Sequence, residues 1–320
     1  MFAILHDDDG RLAWSEAPEP VLGPGQLLLR VAATAVNRAD LLQRRGQYPP
    51  PPGASSILGL EAAGEVLAVG EGVTGWAPGA RCMALLSGGG YAERAVVDAG
   101  HALPIPENLE DWEAAAIVEV FATAFLNLVE LGRLQAGERV LIHGGSGGVG
   151  CAAIQLAVSL GAEVWTTARQ SKLEAVRALG AAQAFDFTAP DLEASLRAAG
   201  RVNVVLDVLG AKALALNLDL LEADGRLLFV GLQGGRRAEL DLLPLLLRRL
   251  TLRGCTLRAL PAERKTALLA RFAREVLPRL ASGELRPVVH ARYPLPDAER
   301  AHACMQASEH VGKLVLEVPR

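Results

Sequence analysis

Cysteine is scarce in this 320-residue chain, where Cys82, Cys151, Cys255 and Cys304 stand singly. No pair has zinc-ligand spacing and no framework of bridges is implied, so the four read as apolar thiols in a reducing compartment. Lysine is equally rare: Lys172, Lys212, Lys265 and Lys313 are all there are. The formal net charge is −4, with both signs interspersed. The basic stripe of a phosphate-backbone binder is missing, and its densest candidate, "LLLRRLTLRG", sets three arginines among leucines. Aromatics amount to 4% of the chain, too few for the basic-aromatic surface that binds single-stranded RNA. No signal peptide is expected, nor an apolar run of about 18 residues; the stretch 242–247 ends in Arg248 and Arg249. These absences point to a soluble cytoplasmic protein.

Apolar residues are plentiful, at 51%, and the length favours two domains over one core. Residues 1–107 read as short strands broken by Gly and Pro, such as "GQLLLRVAATAVN", "EAAGEVLAVG", "GARCMALL" and "YAERAVV", and suggest an all-β, barrel-like domain. Only "YPPPPG" is compositionally odd, and it reads as a stiff loop. Asn108 is placed to cap a helix whose first turn carries Glu110, Asp111 and Glu113. Residues 136–257 alternate strand and helix, which means right-handed crossovers and a mostly parallel sheet covered on both faces. A long helix over about 262–281 follows, then "VVHARYPL", "DAERAHACMQAS" and "GKLVLEVPR" as strand, helix and strand.

Gly145, Ser146, Gly147, Gly148, Val149 and Gly150 fit a dinucleotide fingerprint, between the buried strand "RVLIH" and a helix that places Val149, Ala153, Leu156, Ala157 and Leu160 on one face. One glycine makes the tight turn, one lets the backbone approach a pyrophosphate, and one lets helix and strand pack closely. At the end of the second strand, where a ribose-binding carboxylate belongs, stand Ala168 and Arg169, with Lys172 three residues on. Cations there attract a 2′-phosphate that a carboxylate would repel, so NADPH is the expected cofactor.

Glu61 poses a separate question, because "ILGLEAAGEV" sets it among small and apolar residues. A buried carboxylate must be paired, hydrogen-bonded or bound to a metal.

Together "VNRADLLQRRGQYPPPPGASSILGLEAAGEV", "GGGYAERAVV", "VLIHGGSGGVGCAAIQLA", "LDVLG", "GLQGG" and "GKLVLE" resemble the medium-chain dehydrogenase/reductase superfamily. Within it the pattern is similar to the zinc-independent quinone oxidoreductases, nearest the tumour-suppressor-inducible branch. The resemblance implies an α/β chain: a discontinuous GroES-like β-barrel domain (1–122 and 266–320) around a Rossmann domain (123–265). It also implies no metal. Zinc relatives carry a Cys near the segment matching 37–40 and a His before this Glu, where Asn37 and Leu60 stand, and neither supplies the thiolate or imidazole that zinc favours. Glu61 is then a structural anchor, with Arg38 and Arg81 as candidate partners.

Among candidate site residues, the resemblance puts Tyr48 at the acceptor pocket, Asn37 toward the substrate or ribose, and Thr123 near the nicotinamide. Asp40 reads either as a site carboxylate or as a helix-start one. Gly231, Leu232 and Gln233 match positions beside the nicotinamide, Val208 and Leu209 the path to it, and Lys313 a possible phosphate contact. Phe187 replaces a phosphate-contacting Tyr of many relatives. The animal branch has its loop serine at the position of Gly147, so no role passes to Ser146. His143 reads as a strand-end histidine. The implied function is metal-free hydride transfer from NADPH to quinones or α,β-unsaturated carbonyls. An enoyl thioester reductase is the alternative enzyme, and an NADPH-gated RNA-binding or sensor protein the alternative of another class. The edge strand expected at 250–257 suggests a homodimer.

Overall fold

The computed structural model describes residues 1–7 and 9–319 and divides the chain into two compact units. The first comprises Met1–Ala122 and the chain from Arg258 onward, the second Thr123–Leu257. The return to the first unit thus falls at Arg258 rather than at residue 266.

The first unit opens with the hairpin β1 (Phe2–His6) and β2 (Leu12–Glu16), followed by β3 (Gln26–Ala35) and the short helix α1 (Arg38–Gln43). Next come β4 (Glu61–Val69), β5 (Arg81–Leu85), β6 (Arg94–Asp98) and β7 (Ala102–Pro104), then α2 (Asp111–Ala114) and α3 (Val118–Phe125). In β3 the side chains of Leu27, Leu29, Val31, Ala33 and Ala35 are buried, the period-2 pattern of a strand with one core face. Asn108 does not cap α2. Its amide donates to the Leu280 carbonyl at 3.1 Å, while the Glu113 carboxylate accepts the Glu110 N–H at 3.0 Å and so closes the helix start.

The helical stretch Asp111–Leu131 corrects the expectation that no long apolar span exists. It is 21 residues long, and its most apolar 18-residue window has a mean hydropathy of 1.8. Of its most apolar window 78% is buried inside the protein, which accounts for the composition as that of a core helix.

The second unit holds β8 (Arg139–His143), α4 (Gly148–Ser159), β9 (Glu163–Ala168), α5 (Leu173–Ala178), β10 (Gln183–Asp186), α6 (Leu192–Ala199), β11 (Val202–Asp207), α7 (Leu214–Leu220), β12 (Leu221–Phe229), α8 (Leu243–Arg248) and β13 (Thr251–Gly254). Every strand pair is parallel, in the order β10-β9-β8-β11-β12-β13. This is the doubly wound order, whose direction reverses between the first and fourth strands, β8 and β11, and ligands bind beyond the strand ends at that point. The edge strand is shorter than expected and stops at Gly254. Helix α4 is not the one-faced helix its pattern suggested: Cys151, Ala152 and Ile154 are buried along with Ala153, Leu156 and Ala157, since small side chains let it pack on several sides.

After the return, α9 (Ala262–Glu275) and α10 (Leu277–Ala281) replace one long helix. The break falls at Val276, two residues before Pro278, whose missing N–H and ring end the hydrogen-bond ladder. Then β14 (Val289–Pro294), α11 (Ala298–Ala307) and β15 (Lys313–Glu317) complete the first unit. Its main sheet runs β14-β15-β3-β4-β5-β7, with β6 also on β3. The C-terminal strand β15 therefore pairs directly with β3, joining the two ends of the chain in one sheet.

Candidate functional site

The glycine turn follows β8 at the switch point of the parallel sheet. Its tight bend is made by Gly144, with φ +72°, rather than by Gly145. A Cβ at Gly145 would lie 2.0 Å from Thr166 Oγ1, and one at Gly150 would lie 2.3 Å from the Gly144 carbonyl oxygen. Those two glycines are demanded by the protein's own packing. Gly147 differs, because a Cβ there would meet only the Gly144 oxygen, at 3.4 Å. Nothing in the protein requires a glycine at 147; an incoming ligand would. The first intrahelical bond of α4 is from Cys151 N–H to the Gly147 carbonyl, at 2.8 Å, so the N–H groups of Gly148, Val149 and Gly150 have no carbonyl within the helix. Three aligned donors at a positive helix end fit a pyrophosphate. Ser146, Gly148 and Val149 are part-exposed there.

At the end of β9, Arg169 is exposed and lies 5.9 Å from the Phe187 ring centre, a cation–π distance. Phe187 thus braces the guanidinium instead of supplying a hydroxyl. Lys172 is buried, contrary to its expected place as an open cation beside Arg169. Val208 and Leu209 are part-exposed past β11, and Asp207 accepts the N–H groups of Leu209 (2.7 Å) and Gly210 (3.0 Å). Gly231 bonds back to the Asp207 carbonyl and Gln233 to that of Val208, which sets the 231–233 loop beside the 208–209 turn, with Leu232 exposed. His143 is buried against Thr167 Oγ1 (3.1 Å) and Asn217 Oδ1 (2.7 Å), and burial holds its pKa down, so it is a neutral structural histidine. Thr123 is buried in α3, and its carbonyl accepts from the Asn127 amide at 2.8 Å.

In the first unit, Glu61 is fully buried, and its partners are neither Arg38 nor Arg81. Arg81 pairs with Asp111, and Arg38 is exposed. Glu61 Oε1 instead takes Lys313 Nζ at 2.9 Å and Asn37 Nδ2 at 2.9 Å, while Oε2 accepts the Glu119 N–H at 3.0 Å. Lys313 also donates to the Val36 carbonyl (2.8 Å) and to Asn37 Oδ1 (2.7 Å), using all three of its N–H bonds. Lys313 is therefore an internal counter-ion and not a phosphate contact. Asn37 is saturated too, its second N–H going to the Ala35 carbonyl, so it does not reach for substrate or ribose.

Asp40 resolves in favour of a helix-start carboxylate. It is buried and accepts the N–H groups of Asn37 (2.7 Å) and Gly59 (3.0 Å) and the Tyr91 hydroxyl (3.3 Å). Burial pushes its pKa up to about 6 against those donors. Behind it, Arg44 lies 3.2 Å from His302 Nδ1. A guanidinium only donates, so Nδ1 accepts and Nε2 carries the proton toward the Tyr91 oxygen 3.0 Å away. Burial, with Arg44 and Arg45 nearby, pushes His302 down to about 3, which keeps it neutral.

Tyr48 is held by Arg258, whose guanidinium lies 5.3 Å from the ring centre and 3.4 Å from the Tyr48 carbonyl. Arg258 also binds the Ser87 carbonyl and, at 2.7 Å, Gln43 Oε1. Sequence reasoning missed Arg258, Tyr91, His302 and Glu119. Of these only Glu119 left a signal, as a lone acid in the apolar run "AAAIVEVFATAF".

Two family profiles match the chain: "Alcohol dehydrogenase GroES-like domain" over residues 23–107 and "Zinc-binding dehydrogenase" over 148–274. The zinc of the second description does not fit the residues around Glu61. Positions 37 and 60 offer an amide already saturated and a buried leucine, and the carboxylate is already matched by an ammonium. Polyketide synthase GfsB of Streptomyces halstedii is 36% identical over 96% of the chain, which spans only 5% of that protein. The chain spans between 5% and 14% of the curated relatives it matches. JamJ enoyl reductase, in its apo form, superposes with a TM-score of 0.89 at 27% identity over 99% of both chains. An alcohol dehydrogenase superfamily protein from Novosphingobium aromaticivorans reaches a TM-score of 0.86 at 30% identity, again over 99% of both. With a GroES-like domain, a doubly wound sheet and a dinucleotide turn at its switch point, the chain belongs to the medium-chain dehydrogenase/reductase superfamily of nicotinamide-dependent oxidoreductases.

Proposed function

We propose that the chain reduces the carbon–carbon double bond of an enoyl thioester with NADPH. What supports this reading over the quinone reduction implied by the sequence pattern is the end-to-end similarity to JamJ enoyl reductase, alongside that to a polyketide synthase. A bound reduced nicotinamide supplies the hydride. The chain's part is to bind and orient. Gly147 and the first turn of α4 receive the pyrophosphate, and Arg169, braced on Phe187, attracts the 2′-phosphate. Arg258 fixes Tyr48 so that its hydroxyl can hydrogen-bond the acceptor carbonyl, and the saturated Lys313–Glu61–Asn37 set holds the ends of β3, β4 and β15 in register.

A spectrophotometric screen of NADPH and NADH oxidation over enoyl thioesters, enones and quinones tests this. The expected result is the highest kcat/KM for enoyl thioesters with NADPH. A charge-assisted contact contributes about 1.5–3 kcal/mol. Arg169→Ala should therefore raise KM for NADPH by about tenfold or more and leave NADH unchanged. Higher kcat/KM for quinones would overturn the substrate, and an undiminished NADPH preference in Arg169→Ala would overturn the cofactor assignment.

We also propose that the second unit pairs with its copy. β13 is an edge strand with open backbone groups, and α8 together with Leu242 before it exposes Leu242, Leu243, Leu246 and Leu247, the last two at 76% and 68%. Together they make an apolar margin unusual for a monomer. Light scattering at micromolar protein should give a dimer, and Leu246→Asp/Leu247→Asp a monomer. A monomeric wild type would refute the pairing.

A further inference from the structure

We propose that Lys265, Ser87 and Arg258 form a phosphate-binding site inside the first unit. All three line one cavity of about 490 Å3, with the 51–55 loop and Ala262, and its whole wall belongs to that unit.

Lys265 and Arg258 are only 6% and 5% exposed, yet neither forms an ion pair among the described residues. A buried cation without a counter-ion is strongly disfavoured. The other charged groups of the wall are matched. The Met1 ammonium and Arg94 both pair with Glu19, and Asp98 lies 3.6 Å from His101. The acids whose charge reaches Lys265 are Glu119 and Asp98. Burial, then Glu61, pushes Glu119 up to about 8, which leaves it protonated at neutral pH. The Asp98 side chain is 47% exposed, so water screens it.

Both cations are tied to one residue. Lys265 Nζ donates to Ser87 Oγ at 3.1 Å, and Arg258 Nη2 to the Ser87 carbonyl at 2.7 Å. Lys265 has spent one of its three N–H bonds, and the Ser87 hydroxyl, which accepts that bond, keeps its own proton to donate. Arg258 places four of its five N–H bonds on Ser87, Gln43 and Tyr48. Among the described residues the cluster therefore has four donors left over: two on Lys265 and one each on Ser87 and Arg258. Ser87 is part-exposed, which leaves the cluster open to an incoming group.

The backbone adds to the same field. Helix α9 begins at this wall with Ala262, and no side chain caps its start, so its positive end faces no counter-charge of its own. Lys265 closes that first turn, where a cation is misplaced unless an anion lies near. Burial, with Arg258 close by, lowers its pKa accordingly. Two positive charges and four free donors suit a phosphate dianion, whose tetrahedral oxygens accept from several directions at once; a carboxylate would leave one charge unmatched. Such a group comes as free phosphate or on the pantetheine arm of a thioester, and only this second source rests on the function proposed above.

The test titrates the full chain, saturated with NADPH so that the glycine turn and Arg169 are already occupied, with inorganic phosphate in a calorimeter. Wild type should bind one phosphate, which should also raise its melting midpoint. Lys265→Met should weaken binding by about tenfold or more, whereas Lys265→Arg, which keeps the charge, should stay within a few-fold. In phosphate-free buffer Lys265→Met should melt above wild type, because the variant no longer buries an unpaired ammonium. A structural lysine would give the opposite shift. Equal phosphate affinity in wild type and Lys265→Met, or a lower phosphate-free midpoint in that variant, overturns the site.

Kinetics separate the sources. Phosphate that competes with an enoyl phosphopantetheine thioester, but not with the enoyl N-acetylcysteamine thioester, assigns the site to the substrate's own phosphate. Competition with neither assigns it to free phosphate. Competition with both would put phosphate in the acceptor's place and overturn a separate site. A chain that binds phosphate through Lys265 but reduces neither thioester overturns the function and leaves the site standing.

Discussion

Replacing Lys313 by methionine should destabilise the protein by about 3–5 kcal/mol, the cost of breaking a buried ion pair by removing one partner. Lys313 and Glu61 are almost wholly inaccessible, so water cannot reach the carboxylate left behind. The loss extends further, because Asn37 Oδ1 and the Val36 carbonyl lose their donor at the same time. Urea unfolding followed by circular dichroism should show the midpoint fall sharply. Adding Glu61→Gln to Lys313→Met should recover part of it, since the unpaired charge is gone while the amide still has Asn37 and the Glu119 N–H within reach. If Lys313 served instead as a phosphate ligand, the methionine variant would unfold near the wild-type midpoint and show only a raised KM for NADPH.

The glycine turn should separate into two behaviours. Gly150→Ala places a methyl group 2.3 Å from the Gly144 oxygen, and Gly145→Ala places one 2.0 Å from Thr166 Oγ1, which itself donates to the Ile142 carbonyl. Neither neighbour can withdraw cheaply. Both variants should lose about 1–3 kcal/mol or more through overpacking and bind the nucleotide poorly as a consequence. Gly147→Ala should fold with an unchanged melting midpoint, because 3.4 Å is an ordinary contact. Its effect should fall on the cofactor: KM for NADPH raised about tenfold or more where a methyl group keeps the pyrophosphate from the backbone. Calorimetry together with nucleotide titration separates the two classes. Equal melting midpoints for all three variants would refute the packing account, and unchanged affinity in Gly147→Ala would refute the pyrophosphate contact.

Much of the second unit could be read directly. Strands buried on both faces of a parallel sheet show as apolar runs such as "RVLIH", and glycines at fixed spacing between strand and helix mark a turn that few other sequences satisfy. The assignment of roles within that turn was less legible. Gly144 precedes the fingerprint, yet it is the residue with the left-handed conformation. The edge strand was also foreseen, though one turn too long.

The first unit's polar groups were the harder part. The identities of Asn37, Asp40, Glu61 and Lys313 were conspicuous, but spacing along the chain says nothing about partners 276 residues apart, as Asn37 and Lys313 are. Lys313 lies four residues from the charged surface side chain Glu309 and in a short strand, a setting that suits an exposed lysine as well as a buried one. Tyr91 and His302 meet only because β15 and α11 return to pack on the start of the chain.

The sequence by itself determined the alternation of strand and helix in the second unit, its mostly parallel sheet, the position of the nucleotide turn and the exclusion of a His or Cys beside Glu61. These follow from local rules: hydrophobic period, backbone freedom at glycine, and the chemistry of a side chain at a given place. Only the tertiary structure decided which charged groups pair with one another and which are saturated. Hydrogen bonding and pKa depend on what burial brings within about 3 Å. That proximity is a property of the folded chain and is carried by no short segment of it.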